Sequence, residues 1–133
     1  MTTRLKLLVA LPILCLTVNR AVADDVHTTG TLPGYQCMSL ANLWNGVGPM
    51  PPPVQVYTGP NQDAAPTGVA GGSIIVPDPM QAVNGRTPMI FADGRMVWID
   101  VKDIKPWHAV SNPHATCRPV LLSNGRYGFQ TRH

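Results

Sequence analysis

Two stretches constrain the fold more than any other feature: "TPMIFADGRMVWIDV", residues 87–101, and "PVLLSNGRYGFQT", residues 119–131. In each, two apolar-rich runs flank an Asx-Gly dipeptide, Asp93-Gly94 or Asn124-Gly125, followed by an arginine. Alternating runs around such a dipeptide predict a β-hairpin with a type I′ turn, because Asn, Asp and Gly tolerate positive φ. Arg95 and Arg126 fall just after the turns, where long solvated side chains are common. The same reading extends upstream. "VQVYT" alternates and is β-branched, "GPN" stops it, and "SIIVP" is a short apolar run of the kind that forms a buried strand. The chain has no Glu, few charges, 12 Gly and 14 Pro. That composition favours short strands and many turns over helices.

The first residues have the three parts of a secretory signal. "MTTRLK" is basic, residues 7–18 are apolar with few interruptions, and Ala21 and Ala23 supply the small side chains of a cleavage site. The apolar run of about 12 residues is shorter than the roughly 20 a spanning helix needs. Residues 1–23 are therefore expected to be removed, which implies a periplasmic or secreted protein without stable membrane insertion. Cys15 is preceded by the bulky Ile13 and Leu14, which argues against a lipid-modified cysteine.

Three of the ten Lys and Arg lie before Ala23, and all seven Asp lie after it, so residues 24–133 are formally neutral. Neutrality gives no reason to expect a nucleic acid or an anionic membrane as partner. Beyond residue 23 the cysteines are Cys37 and Cys117. In an oxidising compartment two such residues predict one disulfide, closing a loop of about 80 residues and stabilising the fold by roughly 4 kcal/mol at most. A chain of about 110 residues is one domain. Within it, residues 24–34 have no apolar period and read as a flexible leader, and residues 35–133 as the domain. "YQCMSLANLW" fits a short helix or a strand held by Cys37, and "NGVGPMPPP" is a stiff turn that continues neither.

The ordered set of motifs across residues 54–107 resembles the bacterial SH3-like domain family. "VQVYTGPNQDAAPTGVAGGSIIV" is similar to its opening strand, Gly-Pro turn and Gly-rich step, and "NGRTPMIFADGRMVWIDVKDIKPW" to its second half, with Trp98 in "VWI". The family often carries a Trp after the Asn-Gly of its central strand, where this chain has Arg86 and Thr87. The resemblance implies a mainly β fold: a small, partly open barrel of short antiparallel strands, here with a C-terminal hairpin. It also implies a non-catalytic binding module for a cell-wall component or an envelope protein.

The residues themselves give little to catalysis. Any carboxylate pair must be Asp, and Asp100 and Asp103 alternate with Lys102 and Lys105 as a solvated connection would. The Gly-rich "GVAGG" lacks the Lys-Ser/Thr of a phosphate loop. His108, His114 and Cys117 lie within ten residues, with His27 and His133 near the ends and Met38, Met50, Met80, Met89 and Met96 as soft donors. Their spacing matches no compact zinc pattern, and no metal or other cofactor is expected. Aromatic side chains are the usual anchors of small binding domains. Trp98 alternates with Val97 and Ile99 and reads as core. Trp107 after Pro106, Tyr57 beside its turn, and Arg95 are the candidate binding residues. An inhibitor or immunity protein that plugs a wall-degrading enzyme with a loop is the competing reading.

Overall fold

The computed structural model describes residues 24–133; the expected signal peptide, residues 1–23, lies outside the described residues. Ten strands follow in order: β1 (Thr28–Thr31), β2 (Tyr35–Leu40), β3 (Gln55–Tyr57), β4 (Pro66–Val69), β5 (Ser73–Pro77), β6 (Arg86–Ile90), β7 (Met96–Asp100), β8 (Ile104–Pro106), β9 (Thr116–Leu122) and β10 (Tyr127–Arg132). A single 3-10 turn, Val101–Asp103, separates β7 from β8. Across the described residues the protein is mainly β, with antiparallel sheets and no closed barrel. One sheet has the order β4-β3-β7-β6-β5-β2-β8 and the other β1-β9-β10.

Two expectations are corrected here. Of the ambiguous "YQCMSLANLW", Tyr35–Leu40 is strand β2 and no part is a helix, because the strand pairs on one edge with β5 and on the other with β8. The segment expected as a flexible leader contains β1, which pairs with β9 through Thr28, Gly30 and Thr31. A strand at a sheet edge needs main-chain partners rather than an apolar period, so composition did not reveal it.

Alternation places one core on the inner face of the large sheet. Met38, Leu40, Val54, Val56, Ile74, Val76, Met89, Val97, Ile99 and Ile104 form a single cluster. It joins β3 near one end of the hydrogen-bonded order to β8 at the other, so the sheet must curl around it. Each fully buried Val or Ile contributes about 1.5–3 kcal/mol to that curl.

On the outer face, Cys37 pairs with Ile75 and Ile75 with Ile90, one apolar row across three strands. The small sheet meets this row. Cys117 of β9 bonds to Cys37 with Cα atoms 6.0 Å apart, the pairing expected from the cysteine count. Tyr127 and Phe129 of β10 face Ile75 and Ile90 across an apolar cavity of about 250 Å³.

The join between β5 and β6 is thin, with Ile75–Ile90 its single register pair. On one side Pro77 and Pro88, which have no N–H, halt the ladder. On the other, the Ala92 carbonyl accepts the Tyr127 N–H at 3.0 Å.

The hairpin turns differ from the expected type. Asp93 and Asn124 do not have positive φ; Gly94 and Gly125 do, at 88° and 78°. The Gly94 N–H donates to the Phe91 carbonyl and the Phe91 N–H to the Arg95 carbonyl, the pattern of a type I turn closed by a left-handed Gly. The carboxylate of Asp93 accepts the Arg95 N–H at 3.0 Å, and Asn124 accepts that of Arg126 in the same way. These side-chain bonds hold the Asx residue at negative φ and leave the left-handed position to Gly alone. The type I′ turn is elsewhere, at Asn84-Gly85, with φ of 51° and 79° and reciprocal bonds between Val83 and Arg86.

The two Asx-Gly-Arg hairpins also dock on each other: a Cβ on Gly94 would lie 3.2 Å from Cε2 of Tyr127. Gly94→Ala combines backbone strain with that clash, whereas a Cβ on Gly125 meets nothing within 4 Å. Urea unfolding is expected to show a loss of about 2 kcal/mol for Gly94→Ala and about 1 kcal/mol for Gly125→Ala; equal losses would mean that the hairpins do not rest on each other. Reducing the disulfide, or replacing both cysteines by Ser, is expected to lower stability by about 2–4 kcal/mol in the same assay.

Candidate functional site

The apolar row on the outer face has a neighbour of different character. Tyr57 pairs with Trp98, and Trp98 with Pro88. Continuing the Ile75–Ile90 register by two residues brings Pro77 level with Pro88, and Pro77 pairs with Tyr35. Five strands thus present Tyr57, Trp98, Pro88, Pro77 and Tyr35 in one band, every member half-buried. Period-two alternation explains it: Val97 and Ile99 enter the core, so Trp98 between them faces outward. The expected core role of Trp98 is corrected accordingly.

Arg86 fixes one end of this band. Its side chain is 3 % exposed, and its Nε donates to Asp100 Oδ1 at 2.9 Å. Its Nη1 donates to the carbonyls of Gly59, at 3.3 Å, and Asn61, at 2.6 Å. The guanidinium lies 3.6 Å from the centroid of the Tyr57 ring, within cation–π range. The type I′ turn is tied to the same loop: Asn84 Nδ2 donates to Asn61 Oδ1 and Gln62 Nε2 to the Asn84 carbonyl. Arg86 therefore binds the 59–61 turn, β7 and the Tyr57 ring together. One ring face is covered by the cation and the side chain is held in place. A buried arginine directly after an Asn-Gly turn carries no periodic signal, and only the strand register sets Asp100 opposite it.

The three binding residues expected from the sequence fall in three places. Tyr57 belongs to the band. Trp107 donates its indole N–H to Ser73 Oγ at 3.2 Å and lines a groove of about 420 Å³ with Gln36, Met80, Thr116 and the disulfide. Arg95 sits at the tip of the β6–β7 hairpin, paired with Asp93 at 2.9 Å and 5.1 Å from the Phe91 ring centroid. The main-chain N–H of Arg95, then its guanidinium, hold the Asp93 carboxyl below its ordinary pKa. Arg95 and Asp93 are both exposed, so their pair is worth little to stability.

The remaining candidates stay apart. Asp100 is engaged with Arg86, and Asp103 lies 3.4 Å from Lys102, so the two carboxylates share no site. His108 and His114 are exposed and Cys117 is oxidised. Among the described residues no group of three or more His, Cys, Asp or Glu is placed to hold a metal ion.

Residues 41–53 form a second exposed feature. Trp44, Val47 and Met50 are 44 %, 77 % and 72 % exposed. The loop is ordered by its own bonds, from Trp44 Nε1 to the Gly48 carbonyl and from the Val47 N–H to Asn45 Oδ1. Comparison with family models, curated proteins and solved structures returns no match for this chain.

Arg86→Leu removes one partner of a buried ion pair and the cover of Tyr57. It is expected to cost about 3 kcal/mol in urea unfolding and to move the Tyr57 ring resonances. A stable variant with unchanged ring shifts would separate Arg86 from the platform.

Proposed function

We propose that this chain is an exported, non-catalytic binding module of the cell envelope, and that it holds a cell-wall glycan or peptide against the Tyr57–Trp98 band. The single observation that carries this reading is the Arg86 clamp on Tyr57 directly beside the outward-facing Trp98. Flat aromatic faces held in fixed orientation bind with little loss of side-chain entropy. The prolines of the same band add rigid apolar surface. We read the curled seven-stranded sheet as a small SH3-like, partly open barrel, since one core draws residues from β2, β3, β5, β6, β7 and β8. The formal neutrality of residues 24–133 suits an uncharged glycan or peptide better than a polyanion. Export rests on the N-terminal signal pattern and agrees with the disulfide.

A second reading is favoured by one observation, the ordered loop with Trp44, Val47 and Met50 outward. An exposed apolar loop of this kind fits an inhibitor that enters the cleft of a wall-degrading enzyme.

Binding to purified peptidoglycan sacculi distinguishes the two. Trp98→Ala is expected to weaken sacculus binding by about tenfold or more with the fold intact, while Trp44→Ala leaves it unchanged. Sacculi that never bind the protein, together with inhibition of a lytic enzyme that Trp44→Ala abolishes, would replace the first reading by the second.

A further inference from the structure

The two sheets end in four edge strands, β4 and β8 on one and β1 and β10 on the other. An open edge offers main-chain N–H and C=O groups to any other strand, and edges are ordinarily blunted by Pro, Lys, bulges or shortness. Three of these four are. β8 has three residues and includes Lys105 and Pro106. β4 opens with Pro66, and its pairing with β3 shifts register. β1 has four residues and a register shift between Thr28 and Gly30.

β10 has none of these devices. Its six residues, Tyr-Gly-Phe-Gln-Thr-Arg, pair with β9 in unbroken register from Tyr127 to Arg132. The Leu122 N–H donates to the Arg126 carbonyl, so Gly128 and Gln130 turn their main-chain groups toward β9. Those of Tyr127, Phe129 and Thr131 turn outward. Tyr127 confirms the direction, since its N–H donates to Ala92 on the far side. Among the described residues no strand pairs with this edge, and Phe129 is 41 % exposed beside it.

We propose that the β10 edge is the self-association surface of this protein, pairing antiparallel with β10 of a second copy about a twofold axis through Gln130. In that register Phe129 lies opposite the partner's Thr131 and each exchanges both main-chain bonds. Centring the pair on Phe129 instead would set Tyr127 opposite the partner's Thr131, and the Tyr127 N–H is already donated to Ala92. Centring it on Thr131 would set Phe129 opposite the partner's His133, beyond the end of the strand, so the Gln130-centred register is the one in which the free groups of Phe129 and Thr131 satisfy each other within β10. Side chains agree with it. Phe129 gains a β-branched cross-strand neighbour. Arg132 comes level with the partner's Gly128 rather than another cation, and residues 24–133 carry no net formal charge to oppose association. The result is a continuous six-stranded sheet that leaves the Tyr57–Trp98 band of each copy uncovered, so this inference stands apart from the proposed ligand.

Sedimentation equilibrium of the purified protein from about 1 to about 200 µM covers the range in which a small interface self-associates. The mass is expected to double across it. Thr131→Pro removes an outward N–H without touching the β9 ladder, and Phe129→Lys blunts the edge. Each should weaken association at least tenfold, Thr131→Pro with an unchanged unfolding midpoint and Phe129→Lys with a lowered one, because Phe129 also lines the apolar cavity over Ile75 and Ile90. In the unaltered protein, amide exchange at Phe129 and Thr131 should slow as concentration rises. A monomer throughout, or a dimer equally strong in both variants, overturns the proposal, as do open-edge exchange rates at these two amides at every concentration.

Discussion

Cys37, Ile75 and Ile90 stand in one row on the outer face of the large sheet, and an apolar row there must be covered. The inner face has no such difficulty, because curling brings residues of β2, β3, β5, β6, β7 and β8 into one cluster. The cover on the outside is the β1-β9-β10 sheet, crosslinked to β2 at the Cys37 end of that row. A small sheet of this kind needs its apolar face packed to be stable. The crosslink and the docking of Tyr127 on the Gly94 turn attach it at two points. The rest of the architecture follows from that attachment. It takes the Ala92 carbonyl at one end of the thin β5–β6 join, while the next row of the outer face, beyond Pro77 and Pro88, stays half-buried.

That half-buried row is the aromatic and proline band. Trp98 and Tyr57 face outward because their neighbours in sequence face inward. A buried guanidinium is expensive unless its donors are satisfied. Here Asp100 and two turn carbonyls accept from it, while the Tyr57 ring covers its face. The same contacts that make Arg86 tolerable fix the orientation of an aromatic ring at the surface. Stability and preorganisation therefore have one cause at this site.

Much of the fold was legible in the chain. The strands around Asp93-Gly94 and Asn124-Gly125, the buried run Ile74 to Val76, and the Cys37–Cys117 pairing were all accessible from local pattern and cysteine count. The turn type was not. An Asx residue before Gly is compatible with both turns, and the side-chain acceptor bond to the following Arg decides between them. β1 and β8 were missed because short edge strands carry no amphipathic period.

The candidate site was legible only in fragments. Tyr57 was identified as a surface aromatic, Trp98 was assigned to the wrong face, and Arg86 was noticed for the Trp it replaces. Sequence by itself determined element types, turn positions and the covalent crosslink, because these depend on near neighbours and on counting. Tertiary structure decided which aromatics share a face, which arginine is buried and which sheet edge stays open. Those depend on strand register and sheet order, which set residues as far apart as Tyr35, Tyr57 and Trp98 on one surface.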